Sequence, residues 1–150
     1  MSSPPTRTPL FERVLHHSAA ALVVATGVAY FILKDLVEPD PDAFSVVSHP
    51  WQPHAQHLHV LVAPLLVLSL GVLLRDHVLK RLRNPTWRRS RGTGWTLALM
   101  VLPMIASGYL LQVSVEDWSR ALWKWTHLAT SVVFLAGYLG HALLAYRRVT

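Results

Sequence analysis

Four long apolar stretches set the pattern of hydrophobic and polar positions along this chain of 150 residues. A bilayer core of about 30 Å needs about 20 residues of α-helix, and each stretch can provide that length. The pattern predicts an all-α, integral membrane four-helix bundle that forms one domain over residues 14–146, after a disordered cytoplasmic arm at 1–13. The expected spans are about 14–33, 55–74, 95–115 and 125–146.

A secretory signal is the alternative interpretation of the first apolar stretch. Its 20 uncharged residues are longer than the apolar core of a signal, and no convincing small-residue cleavage site follows them. We therefore expect this stretch to be retained as the first membrane helix.

The basic residues lie between and beside the apolar stretches. The formal net charge is +6, but 52% of the residues are hydrophobic and only 15% are charged, so membrane topology explains the charge better than nucleic-acid binding does. If both termini and the loop 75–91 face the cytoplasm, the inner side carries 11 of the 14 Lys and Arg residues. The positive-inside rule therefore predicts cytoplasmic termini.

The last apolar stretch carries two histidines, His127 and His141, which are 14 residues apart. On an α-helix, with about 100° and 1.5 Å per residue, they share one face and lie about 21 Å apart along the axis. An ionisable side chain inside a bilayer is costly and marks a candidate functional site with a partner. Further histidines lie at the inner end of the first span and the outer end of the second: His16, His17, His54, His57 and His59. The sequence therefore predicts one histidine pair in each leaflet.

Two opposed pairs of neutral imidazoles are what two six-coordinate haems in a helix bundle require. The chain has no cysteine, which excludes a c-type haem attachment and thiolate-bound iron–sulfur clusters within it. Because a bulky side chain one turn from a ligand would occupy the space of the macrocycle, small residues are expected there. The expected haem-packing residues are Ala20, Gly27, Ala63, Thr130 and Gly137. Local shape favours His16 over His17 and His59 over His57, and His17 and His57 stay open as alternative ligands.

These residues resemble the four-helix di-haem b-type cytochromes, which include bacterial cytochrome b561 and the cytochrome b subunits of nickel-iron hydrogenases and formate dehydrogenases. The matching pieces are the R-x-x-H that ends at His16, the Leu-His-Val around His59, and the H-x13-H of His127 and His141. The resemblance implies that His16 pairs with His141 around an inner haem b, and His59 with His127 around an outer one. Many relatives have Trp at the position of His17.

The resemblance also implies a function. Such a chain would be the electron-transfer subunit of an oxidoreductase in the bacterial inner membrane, surrounded by lipid. It would exchange electrons with quinone and with a redox partner, either a bound subunit or a soluble carrier on the outer side. We identify no catalytic residue, so any other substrate chemistry would belong to another protein.

Two other function classes compete with haem binding. A non-haem membrane anchor of a complex would use the histidines to cap or cross-link helices. A small transporter or proton channel would need carboxylates or a chain of polar groups through the bilayer. The four expected spans contain no Asp, Glu, Lys or Arg, which disfavours transport.

An acidic, proline-containing stretch follows the first span and is expected on the outer side. It could serve only to keep a loop in water. It could also be a docking surface for a positively charged redox partner, whose encounter rate electrostatic steering would raise. Its four acidic residues are Asp35, Glu38, Asp40 and Asp42.

Overall fold

The computed structural model of the protein describes residues 8–38, 47–79 and 91–146. Within these ranges all regular secondary structure is helical, which confirms the all-α prediction for them. The four long helices are α1 (Leu10–Phe31), α2 (Gln52–Leu73), α3 (Arg91–Val113) and α4 (Asp117–Tyr146). Short π-helical segments, Ile32–Leu36 and Leu74–Leu79, continue α1 and α2. The basic loop falls mostly at 80–90, outside the described residues.

Each of the four helices is long and apolar enough to cross a membrane. The surface pattern agrees, because large apolar side chains such as Leu61 and Leu102 are each 74% exposed, whereas Ser69 and Ser107 are 1% and 0% exposed. In water such a distribution would be unfavourable, but in lipid small and polar residues belong at helix–helix contacts and apolar ones face outward. The chain is therefore a multi-pass membrane protein.

The first helix begins earlier than the apolar pattern indicates. The sequence predicted disorder up to residue 13, but α1 starts at Leu10, and the Arg13 amide donates to the Pro9 carbonyl oxygen at 3.2 Å. Pro9 has extended backbone angles before the helix, and Glu12 lies in the first turn, where the helix dipole favours a negative charge. Charged residues end an apolar stretch without ending the helix. The arm upstream of residue 8 lies outside the described residues.

The fourth helix is also longer than expected. The sequence predicted a connector over 115–124, but α4 begins at Asp117 and has 30 residues. At about 1.5 Å per residue its length is about 45 Å, which exceeds a bilayer core of about 30 Å. The connector between α3 and α4 is therefore only Ser114–Glu116, and the first turns of α4 extend beyond the hydrocarbon.

The chain divides into two compact units, Met1–Leu74 and Arg75–Thr150, and the described residues of each contain one helical hairpin. In the first unit α1 packs against α2. His16 on α1 contacts Ser69 on α2, and Thr26 on α1 contacts His59 on α2. The two contacts are ten residues apart on each helix, which defines an antiparallel pair. We call this pair hairpin 1.

The second unit contains α3 packed against α4. Thr93 on α3 contacts His141 on α4, and Ser107 contacts His127. These contacts are 14 residues apart on both helices, so this pair is antiparallel too. Gly137 lies between them, with its Cβ position 3.4 Å from a methyl carbon of Leu97. We call this pair hairpin 2.

Candidate functional site

His16 is buried in hairpin 1, with 9% of its surface exposed. Its Nδ1 lies 3.0 Å from Ser69 Oγ, and the Ser69 hydroxyl donates to the Leu66 carbonyl oxygen at 2.8 Å. Because the hydroxyl hydrogen is used in that bond, the serine oxygen accepts from Nδ1–H of His16. The contact therefore assigns the tautomer in which Nε2 carries the lone pair.

His17 differs from its neighbour in environment. Its ring centroid lies 6.0 Å from that of His16, and its side chain is exposed whereas that of His16 is buried. His57 on α2 is likewise exposed, whereas His59 is half-buried against α1. The structure thus separates the two histidines in each cluster, although their roles as ligands stay a prediction.

His59 lies against a hydroxyl–glycine pair on α1. Its Nδ1 is 3.2 Å from Thr26 Oγ1, and the Thr26 hydroxyl donates to the carbonyl oxygen of Leu22 at 2.8 Å. A Cβ at Gly27 would lie only 2.9 Å from Cε1 of the ring. The glycine therefore leaves the space that the imidazole fills, while the threonine oxygen accepts from Nδ1–H.

His127 in hairpin 2 has the same kind of neighbours. Its Nδ1 lies 2.9 Å from the Met104 carbonyl oxygen and 3.4 Å from Ser107 Oγ. The Ser107 hydroxyl donates to that same carbonyl at 3.1 Å. A Cβ at Gly108 would be 3.1 Å from Cε1 of His127. A carbonyl oxygen can only accept, so Nδ1 of His127 must carry the proton.

His141 is half-buried near the other end of hairpin 2, with Nδ1 3.1 Å from Thr93 Oγ1. Each of the four predicted ligands therefore has Nδ1 within hydrogen-bond distance of a hydroxyl group on the partner helix of its own hairpin. The hydroxyl–glycine pair also recurs, as Thr26-Gly27 beside His59 and as Ser107-Gly108 beside His127.

Within one hairpin the two histidines lie at different levels. In hairpin 1 the His16 and His59 contacts are ten residues apart along α1, which corresponds to about 15 Å. In hairpin 2, His127 and His141 are separated by 14 residues, or about 21 Å. A hairpin by itself therefore supplies one predicted ligand per level, and a bis-histidine site would need a second imidazole from elsewhere.

The residues fit the requirements of an axial haem ligand. A metal-ligating histidine usually donates its other ring N–H to an oxygen, and this bond fixes both tautomer and ring orientation. Three of the four histidines have an acceptor at Nδ1 whose own geometry requires that role, as described above. The described residues contain no group of three or more His, Asp or Glu that could hold a metal ion. A bis-histidine haem takes only two protein ligands and does not require such a group.

The expected haem-packing residues have varied surroundings. Ala20 is buried, and Ala63 is half-buried on α2. The Thr130 hydroxyl donates to the Thr126 carbonyl oxygen at 2.7 Å, so it is satisfied by its own helix. Gly27 lies next to His59, and Gly137 lies against α3. Of the two glycines, Gly27 has a histidine ring next to its Cβ position and Gly137 does not.

Sequence reasoning missed the hydroxyl partners Thr26, Ser69, Thr93 and Ser107. Serine and threonine are common in membrane helices and carry no signal of their own. The detectable signal is antiparallel register, because pairing α1 with α2 so that His16 meets Ser69 also makes His59 meet Thr26.

Comparison with protein-family models, with curated proteins and with solved structures finds no match to the chain.

Proposed function

We propose that this chain is a transmembrane electron-transfer protein that holds two b haems, each between two neutral imidazoles. The observation that carries the proposal is the common arrangement of the four histidines, each with Nδ1 near a hydroxyl or carbonyl oxygen on a neighbouring membrane helix, which must accept in three of the four cases. That arrangement makes Nε2 the nitrogen suited to bind iron. When bound, haem supplies one-electron redox chemistry at its iron.

The assignment of ligands to haems comes from the sequence. His16 and His141 are expected in the inner leaflet, and His59 and His127 in the outer one, as the resemblance to di-haem b-type cytochromes implies. Within each hairpin the two predicted ligands lie at different positions along the helix axes. This separation supports two haem sites at different depths in the membrane. The chain would thereby hold redox centres near both membrane faces.

The chain's own residues would bind, orient and insulate these centres. The hydroxyl oxygens orient the rings, and the apolar side chains of the four helices exclude water and keep the dielectric constant low. The partners proposed with this function are quinone and a redox protein on the outer side, and the proposed location is the bacterial inner membrane.

A membrane anchor without haem is the second candidate. The same hydroxyl contacts that orient His16 and His59 also tie α1 to α2, which is what a helix cross-link would do. A transporter is disfavoured, because the membrane parts of the helices lack the carboxylates that ion pathways use. Haem content separates the first two functions.

The test is the haem content of the full-length protein purified from membranes in mild detergent. A pyridine haemochrome assay combined with a protein determination should give two b haems per chain. His57→Ala is the matched control, since an exposed histidine two residues from the expected ligand His59 should leave the ratio at two. Protein without haem, expressed in cells with ample haem, would exclude electron transfer and leave the anchor function. One haem per chain would exclude the two-haem arrangement.

A further inference from the structure

The hydroxyl groups beside the histidines have a more specific role than helix packing. We propose that Thr26 and Ser69 are positioning residues that set the reduction potentials of the two haems by accepting a hydrogen bond from Nδ1–H of the axial ligands His59 and His16. This inference rests on the proposed function, and it concerns what sets the properties of each site.

The direction of each hydrogen bond follows from the local geometry. The hydroxyl of Ser69 donates to the Leu66 carbonyl, and that of Thr26 donates to the Leu22 carbonyl, both at 2.8 Å. Each oxygen therefore directs a lone pair at the imidazole, 3.0 Å from Nδ1 of His16 and 3.2 Å from Nδ1 of His59. Both hydroxyl groups are buried, so water does not replace them easily.

An acceptor at Nδ1–H makes an imidazole a stronger electron donor at Nε2. A stronger donor stabilises ferric more than ferrous iron, and the axial ligand is one of the main determinants of a haem potential. Removing the acceptor should therefore raise the reduction potential of that haem and relax the orientation of the ring. The other haem should not change.

Hairpin 2 provides an internal comparison. Nδ1 of His127 is 2.9 Å from the Met104 carbonyl oxygen and 3.4 Å from Ser107 Oγ, so the shorter bond does not depend on the hydroxyl. Ser107→Ala should consequently change the outer haem less than Thr26→Val does. The two residues are matched in burial and in sequence context, because each precedes a glycine beside a histidine ring.

The experiment uses the haem-loaded full-length protein in detergent. Thr26→Val removes the acceptor at nearly constant shape, Thr26→Ser retains it, and Ser69→Ala removes the acceptor at the inner site. Each variant is characterised by haem content, by optical redox titration and by low-temperature EPR of the oxidised haems, which reports the relative orientation of the two axial rings.

We expect Thr26→Val to raise the midpoint potential of the outer haem and to shift its low-spin EPR signal, with Thr26→Ser close to wild type. Ser69→Ala should do the same at the inner haem only, and Ser107→Ala should have the smallest effect. Thr26→Val could lose the outer haem while Thr26→Ser retains it. That result would also show that the outer site requires the hydroxyl group, and the effect on a midpoint potential would then be measured at the inner haem in Ser69→Ala.

Two results would overturn the inference while the proposed function stands. One is two haems in Thr26→Val and Ser69→Ala with potentials and EPR signals like wild type. The other is equal shifts in Thr26→Val and Thr26→Ser, which would show that side-chain size and not the acceptor matters. Absence of haem from the wild-type protein would instead refute the proposed function itself.

Discussion

The Cβ position of Gly27 lies 2.9 Å from Cε1 of His59, closer than a real Cβ atom could remain. The ring is held there by the neighbouring residue Thr26, whose Oγ1 is 3.2 Å from Nδ1 of His59. A glycine in the middle of a helix costs about 0.5–1 kcal/mol relative to alanine, and at this position the short distance gives a steric reason for it. Here the requirement is space for an imidazole.

Gly27→Ala should therefore displace the His59 ring and break its bond to Thr26. Overpacking of this kind costs about 1–3 kcal/mol. We expect loss or a strong change of the outer haem with the inner one retained, measured by haem content and redox titration. Gly71→Ala is the matched control in the same hairpin, because nothing lies within 4 Å of its Cβ position. Equal haem spectra and thermal stability in the two variants would contradict the proposed steric role.

Gly108→Ala tests the equivalent contact in hairpin 2. The Cβ position is 3.1 Å from Cε1 of His127, so the ring needs to move by only a few tenths of an ångström. The same outer haem should be altered, but less than by Gly27→Ala. Gly140→Ala, with open space at its Cβ position, serves as the control. A larger effect at Gly108 than at Gly27 would reverse the order that these distances predict.

The number and type of helices could be predicted from the sequence, because apolar stretches of about 20 residues have few other stable structures. Their ends could not. At Leu10 and at Asp117 the helices extend past the apolar stretches, since charged side chains are compatible with a helix outside the hydrocarbon. Hydropathy locates the part of a helix that lies in lipid and gives no information about the rest.

The candidate histidines could also be found from the sequence, because imidazoles stand out in an apolar stretch. Their hydroxyl partners could not, since the contact between His16 and Ser69 joins residues 53 positions apart. Finding it requires the register of the hairpin, which depends on how small residues allow the helices to approach. Gly27 could be identified from the sequence as a small residue, but its position on α1 alone does not reveal that His59 faces it.

Replacing each predicted ligand should separate the two haems. If the proposed haems are present, His16→Ala or His141→Ala should remove the inner component of a redox titration, and His59→Ala or His127→Ala the outer one, because each iron would lose one of its two proposed axial ligands. His17→Ala and His57→Ala are the controls and should retain both components. If His17→Ala removes the inner component and His16→Ala does not, the inner ligand on α1 is His17. The effects of His57→Ala and His59→Ala on the outer component decide in the same way between those two histidines.

Membrane orientation can be tested with single cysteines, because the chain has none of its own. Val115 is 82% exposed in the connector between α3 and α4, which is expected on the outer side. In intact spheroplasts a membrane-impermeant maleimide should label Val115→Cys, whereas Thr150→Cys should require permeabilisation. The unmodified chain is the control for background labelling. The opposite pattern would invert the topology that the Lys and Arg distribution predicts.

The last prediction concerns the acidic stretch after α1. Asp35 and Glu38 are exposed, and Asp40 and Asp42 lie outside the described residues. If the stretch steers a positively charged partner to the outer haem, the rate of electron exchange should fall with rising salt, because charges more than about 10 Å apart are largely screened at 0.1 M. Neutralising all four residues (Asp to Asn, Glu to Gln) should lower the rate at low salt and abolish its salt dependence.

Stopped-flow measurement of outer-haem reduction by candidate basic carriers checks this prediction. Neutralising Glu116 and Asp117, which are also exposed and expected on the outer side, is the control for a general change in charge. It should leave most of the salt dependence in place, because it retains the four charges of the acidic stretch. A rate that responds neither to salt nor to the four substitutions would mean that the stretch only keeps a loop in water. Exchange with quinone or with a permanently bound subunit would then be the better account of how electrons reach the outer haem.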